Sequence, residues 1–283
     1  MAQSEERSLV FMADGTLLVG VLHLPEEDTA RAVLIVPGAP QTRVGPHRLF
    51  VDLARQLTAH GVAVMRMDRR GFGDSSGPQV EFENAGADIA AAVAALRNAQ
   101  PGIRSVCVMG LCDGASAALL HATVIPGVDE LILINPWART DGGEARAVLQ
   151  AYYLPRLLRW RRWLAVMTSY ARMRGALGSL ATAVVDAVRT SAKPGGQPEF
   201  IAAMLGNWVS FKGRSLVILS DRDLTATAFD DVVRQTLSWP VLMRSTRAEV
   251  AHIRDADHTF SSRKQKALLA GCITAWLETE SGS

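Results

Sequence analysis

The sequence predicts an α/β fold: a mostly parallel, doubly wound sheet with a helical cap inserted late in the chain. Three observations predict it. Short apolar runs alternate with helix-like segments through the first half of the chain. Several of those runs are apolar over nearly their whole length, as strands buried on both faces are. One of them, Ser105 to Met109, leads into Gly110-Leu111-Cys112-Asp113-Gly114 and then into small helix formers. Strand, glycine-flanked tight turn and helix together are the context in which a nucleophile stands above a sheet.

Taken in order, Ser8 to Met12 and Thr16 to Leu24 flank Ala13-Asp14-Gly15 and read as an antiparallel hairpin at a sheet edge. Arg31 to Val36 is a fully apolar strand after its first residue, ending in Pro37-Gly38-Ala39-Pro40. Arg48 to Ala59 has helical spacing of Leu49, Phe50, Leu53, Ala54 and Leu57, and Gly61 ends it. Val62 to Met67 is the next buried strand. The loop Asp68 to Gly77 lacks the spacing and the lysine of a phosphate loop, and reads as a turn closed by its own polar side chains. Phe82 to Asn98 reads as an alanine-rich helix and Leu131 to Ile134 as a strand.

The rhythm then breaks. Ala138 to Trp208 has no convincing strand and is read as the helical cap. The expected organisation is therefore a core of residues 1–137 and 209–283 with residues 138–208 inserted. Arg139, Arg146, Arg156, Arg159, Arg161, Arg162, Arg172 and Arg174 crowd the cap with Tyr152, Tyr153, Trp160 and Trp163. Two readings stand for those arginines: a site for an anionic or carrier-linked substrate, or a solvated basic face. Strand rhythm returns at Ser215 to Leu219 and Ala248 to Ile253, each followed by a helix: Thr225 to Leu237 and Ser261 to Leu277.

Bulk composition narrows the function. The chain of 283 residues can bury a large core, and its net charge of +2 carries no nucleic-acid footprint. Three cysteines without regular spacing argue against a disulfide framework. No apolar run approaches the ~20 residues that span a bilayer. The polar start MAQSEERS does not read as a signal peptide, so the expected setting is the cytoplasm, without stable membrane insertion. No cofactor or metal site is indicated, and oligomeric state is left open.

Three reactive groups follow three separate strands. Cys112 sits at the turn, where a helix N-terminus favours the thiolate. An Asp of Ser220-Asp221-Arg222-Asp223 follows the next-to-last strand, and His258 follows the last. A thiolate nucleophile needs a base, and the base an orienting carboxylate. Asp223 is preferred to Asp221 as that carboxylate, because it lies a few residues beyond the strand end. His258 is preferred to His60, His121 and His252, which fall on helix or strand, with His47 as its competitor. The backbone N–H groups of Ala39 and Asp113 are the expected oxyanion donors. Pro40 has none to give. Asp255 and Asp257 are expected to shape the histidine loop. Cys107 and Cys272 read as small buried hydrophobes.

Nucleophile, acid, base is the chain order of α/β-hydrolases, and over nearly its full length the sequence resembles that superfamily. More narrowly it resembles the exosortase-A-system-associated hydrolases. The stretches that carry this are GAPQTRVGPHRLF (Gly38 to Phe50), RMDRRGFGDSSG (Arg66 to Gly77), GLCDGASAA (Gly110 to Ala118) and DHTFS (Asp257 to Ser261). It departs from the family pattern at Ala39 and Pro46, where glycine and serine are expected. Ala39 still supplies an N–H. Dienelactone hydrolases are similar in the core and share the Cys-Asp-His logic. The resemblance implies a hydrolytic activity without stating the substrate, and the three reactive groups themselves read as hydrolysing an ester or thioester of a small acyl substrate through an acyl-enzyme. Transfer of the acyl group to a hydroxyl or amine, and a non-catalytic binding protein on the same scaffold, are the alternatives.

Overall fold

The computed structural model describes residues 5–138, 199–236 and 239–279. Eight strands form one sheet: β1 (Glu5–Ala13), β2 (Thr16–Leu24), β3 (Arg31–Val36), β4 (Ala63–Met67), β5 (Ser105–Leu111), β6 (Val128–Ile134), β7 (Arg214–Ser220) and β8 (Ala248–Ile253). Their spatial order is β1-β2-β4-β3-β5-β6-β7-β8. β1 and β2 pair antiparallel, as do β2 and β4, and every later pairing is parallel. The hairpin turns at Asp14 and Gly15, both at positive φ (47° and 76°), as a tight two-residue connection demands.

Helices α1 (Leu49–Ala59), α2 (Gly86–Ala99), α3 (Asp113–His121), α4 (Glu199–Ser210), α5 (Leu224–Thr236), α6 (Trp239–Thr246) and α7 (Arg263–Glu278) cover both faces. The period of two along a strand divides the core. Val33 and Ile35 of β3 meet Leu53 and Leu57 of α1 and Ile273 and Trp276 of α7 in one apolar layer. Leu34 and Val36 point the other way, into a layer with Ile89 and Val93 of α2, Ala117 of α3, Trp208 of α4 and Phe229 of α5. This two-sided burial is why the strands read as unbroken apolar runs.

Some elements differ from the expectation. The helix expected from Phe82 begins at Gly86, because Phe82–Asn84 forms a separate 3-10 turn. Helix α6 was not anticipated. Helix α4 runs past the boundary expected at residue 208, and Trp208 is fully buried in the main core, with its indole N–H 2.9 Å from Ser215 Oγ. Trp137, where the chain leaves the core, stacks on Phe200, where it returns, at 5.4 Å between ring centroids. Most of the expected cap, with its arginines and aromatics, lies outside the described residues.

The loop from Asp68 to Gly77 closes on itself. Buried Asp68 accepts from the Arg43 N–H (2.6 Å) and the Asp74 N–H (3.0 Å), and pairs with the Arg43 guanidinium. Gly73, at φ 56°, is required there: a Cβ would stand 2.1 Å from Asp68 Oδ2. Among the described residues no helix is long and apolar enough to cross a membrane, and no cluster of His, Cys, Asp and Glu could hold a metal.

The strand order reverses at β3, which lies between β4 and β5. The crevice beyond the strand ends at such a switch is where doubly wound sheets bind ligands. Val36 pairs with Gly110, so the Pro37–Pro40 loop and the Cys112 turn leave the sheet side by side.

Candidate active site

Cys112 occupies the turn between β5 and α3 at φ 59°, ψ −128°. That conformation strains a non-glycine residue by on the order of 1–3 kcal/mol, and tight surroundings hold it. A Cβ on Gly110 would lie 2.3 Å from the Gly114 backbone, and one on Gly114 would lie 2.4 Å from Val36 O. Only hydrogen at both positions lets strand, turn and helix pass this closely. The Cys112 N–H donates to Ile134 O (3.0 Å), and its carbonyl accepts from the N–H groups of Ala115 (3.0 Å) and Trp137 (3.2 Å). The result is a half-buried thiol at the head of a helix.

The next two groups arrive from β7 and β8. Asp223 is buried, with a side chain only 5% exposed. Its Oδ1 accepts from the Thr225 N–H (2.9 Å), and its Oδ2 lies 2.7 Å from His258 Nδ1. The Cys112 thiol also acts on the His258 ring, favouring its charged form. Burial alone would lower the His258 pKa. The hydrogen bond to Asp223, the Asp223 charge and the effect of Cys112 outweigh it and raise the pKa to about 10. Carboxylate and imidazole are thus directly hydrogen-bonded, and the Cys112 sulfur bears on the same ring.

The other candidates are placed elsewhere. Asp221 is 42% exposed and 4.0 Å from His252 Nδ1, away from His258. His60 Nδ1 contacts Gln56 O (2.9 Å), and His121 Nε2 contacts Phe82 O (3.2 Å). The His47 carbonyl accepts from Lys266 Nζ. Asp257 holds the histidine loop by accepting from the N–H groups of Thr259 (3.0 Å) and Ser261 (3.2 Å) and from Ser261 Oγ (2.6 Å). Those bonds overcome burial and keep its carboxyl below the usual range. Asp255 pairs with Arg222 at the surface. Cys107 is buried in β5 and its thiol is pushed well up by desolvation, and that of Cys272 is raised by the same cause.

The two expected oxyanion donors are adjacent, but they are not vacant. The Ala39 N–H donates to the Asp113 side-chain Oδ2 at 3.0 Å. The backbone N–H groups of Asp113 and Gly114 also favour its charged form. Desolvation is the larger effect, and the Asp113 pKa is raised.

Two residues at the site escaped the sequence reading. Asn135 is fully buried just after β6, at φ 44°. Its Nδ2 donates to Ser220 Oγ (3.0 Å) and to the His258 carbonyl (3.1 Å), and its Oδ1 accepts from the Ser220 N–H (2.9 Å). One amide thus ties the ends of β6 and β7 to the histidine loop. The only sequence signal was an Asn-Pro after a strand. Asn135→Ala is expected to lower kcat on the order of 10²-fold through misplacement of His258, with KM little changed. It should also destabilise the fold by about 1–3 kcal/mol, because the Ser220 N–H loses its partner. Steady-state kinetics and thermal unfolding on the same sample check both.

The second residue is Arg69, which is wholly buried, with Nη2 3.4 Å from Asp113 Oδ2. Its Nε and Nη1 have no hydrogen-bond partner.

Comparison with known proteins places the fold. The family model described as "Serine aminopeptidase, S33" matches residues 28–193, more than half of the chain. No curated protein matches in sequence. Among solved structures the chain is similar to an esterase of Pyrococcus furiosus, at 16% identity and TM-score 0.66, covering 99% of this chain and 92% of that one. It is similar to Est1E of Butyrivibrio proteoclasticus, solved with ferulic acid bound, at 14% identity and TM-score 0.59, covering 95% and 97%. It is similar to a dienelactone hydrolase of Anabaena variabilis at 16% identity and TM-score 0.60, covering 97% of each chain. At these identities the likeness is one of fold. With the sheet order, the turn at Cys112 and the family match together, the chain belongs to the serine aminopeptidase family of the α/β-hydrolase superfamily.

Proposed function

We propose that the protein hydrolyses an ester or thioester of a small acyl substrate through a covalent acyl-Cys112 intermediate. The observation that carries this is the Asp223–His258 hydrogen bond, with Cys112 acting on the same imidazole from a strained turn. The sulfur attacks the acyl carbonyl as a thiolate, and a C–S bond forms. The carbonyl electrons move onto oxygen, towards the N–H groups of Asp113 and Ala39. As the tetrahedral intermediate collapses, the bond to the leaving oxygen or sulfur breaks, and the leaving group takes its proton from the His258 imidazolium. The now neutral imidazole removes a proton from water, and the resulting hydroxide attacks the thioester. Thiolate leaves and the imidazolium is restored. Asp223 keeps the ring in register and stabilises its cationic form. Protein side chains and water carry every bond change.

The four stretches shared with exosortase-A-system-associated hydrolases support placing the chain in that group. We place the reaction in a reducing compartment, because a solvent-reachable nucleophilic thiol survives there and all three cysteines are unpaired. The fold neighbours named as an esterase and a dienelactone hydrolase support acyl-ester chemistry on this scaffold.

The test is to mix the protein with 4-nitrophenyl acetate, quench it early, and measure intact and peptide masses. An acetyl group on the Cys112 peptide, discharged to acetate on longer incubation, is the expected result. Discharge to an added alcohol or amine in preference to water would make the protein an acyltransferase. No adduct at Cys112 together with undiminished ester turnover would overturn the reading.

A further inference from the structure

The oxyanion hole of the proposed reaction already holds an anion, and it belongs to the protein. Asp113 Oδ2 sits 3.0 Å from the Ala39 N–H, the donor that the substrate oxyanion needs. The loop makes room for this side chain. Gly38 has no Cβ, and one built there would lie 2.1 Å from Asp113 Oδ1. The carboxylate therefore lies in a slot between the Pro37–Pro40 loop and the turn. A developing oxyanion and this carboxylate cannot share one N–H, because like charges at hydrogen-bond separation repel.

Arg69 is the group that can relieve the conflict. It is the first residue after Asp68 in the loop that follows β4, and it is wholly buried. Its Nη2 lies 3.4 Å from the same Asp113 oxygen, longer than the 2.7–2.9 Å of a formed charge-assisted bond. Its Nε and Nη1 are unpartnered, as is Asp113 Oδ1. Unused donors on one side and an unused acceptor on the other leave a closer pairing available. Burial of the carboxylate also weakens its hold on charge, which makes departure from the Ala39 N–H easier.

We propose that the Asp113 carboxylate is a gate on the oxyanion hole, closed on the Ala39 N–H and opened by transfer to Arg69. The proposal rests on the Cys112 acyl-enzyme reading. In the closed form the carboxylate blocks the donor and keeps Cys112 from attacking. In the open form Arg69 neutralises the carboxylate and the Ala39 N–H is free. Asp113 and Arg69 are positioning residues here, since neither side chain touches the reacting atoms.

The test is pre-steady-state acylation of Cys112 by 4-nitrophenyl acetate, read as the nitrophenolate burst and as acetyl mass on the Cys112 peptide. Asp113→Asn keeps the size of the side chain and removes its charge. It is expected to speed acylation about tenfold. Arg69→Met strands the carboxylate on Ala39 and is expected to slow it by a similar factor. The double variant should return to the wild-type rate or above it. This reversal of sign is what a merely structural contact would not give. If both single variants slow acylation and the double variant is slower still, the gate is overturned while the acyl-enzyme reading stands. If wild type forms no adduct at Cys112, both fall. Should Asp113→Asn not fold, Asp113→Ser carries the same expectation, and Arg69→Lys replaces Arg69→Met on the same ground.

Discussion

Cys112→Ala is expected to lower kcat for an activated ester on the order of a million-fold, the scale on which losing the nucleophile of a serine hydrolase is felt. The fold should survive. The sulfur is half-buried rather than a core atom, and alanine keeps the backbone that Gly110 and Gly114 accommodate. A second readout separates chemistry from folding. Cys112 helps raise His258, so its pKa should fall from about 10 in the variant, which imidazole proton shifts report directly. In the wild type, iodoacetamide should modify Cys112 before Cys107, which is buried, or Cys272, which is half-buried, because desolvation pushes both of those thiols up. Full ester turnover in Cys112→Ala, or equal alkylation of all three cysteines, would remove Cys112 from the chemistry.

What the sequence made legible follows from what each signal depends on. Strands β3, β5 and β7 and the second half of β6 were readable because burial on both faces leaves almost no polar position to interrupt the run, and β4 was readable despite its buried Arg66. The turn at Cys112 was readable because Gly110 and Gly114 are forced by local geometry, within five residues. The start of α2 was not, because Phe82–Asn84 forms a 3-10 turn and nothing in its residue types separates that from a helical turn. Asn135 escaped notice for a different reason. Its partners Ser220 and His258 are 85 and 123 positions away, and only the assembled sheet brings them together. The backbone donors Ala39 and Asp113 could be named from loop position. That the Asp113 side chain turns back onto Ala39 depends on its rotamer and on the slot at Gly38, which spacing does not encode.

Asp223 and Asp221 are two residues apart, but only Asp223 contacts His258, so replacing each by asparagine should give different results. Asp223→Asn is expected to lower kcat by about 10⁴-fold, because an amide facing His258 Nδ1 favours the wrong tautomer and no longer stabilises the imidazolium. Asp221→Asn should change kcat little, since that carboxylate stands 4.0 Å from His252 and off the site. The pH profile gives an independent check. With a His258 pKa of about 10, the imidazolium persists well above neutrality, and kcat/KM should fall only as pH rises through about 10. In Asp223→Asn the leading cause of the upward shift is gone, so the alkaline fall should move to lower pH. Stability follows the same sign. A histidine whose pKa is raised on folding contributes its full stabilisation below the unfolded value, and that stabilisation drains away as pH rises through the folded one. The wild type should therefore lose stability between about pH 6.5 and 10, and Asp223→Asn should lose less over that window. An alkaline limb that stays in place in Asp223→Asn would mean that some group other than this carboxylate sets the histidine's charge.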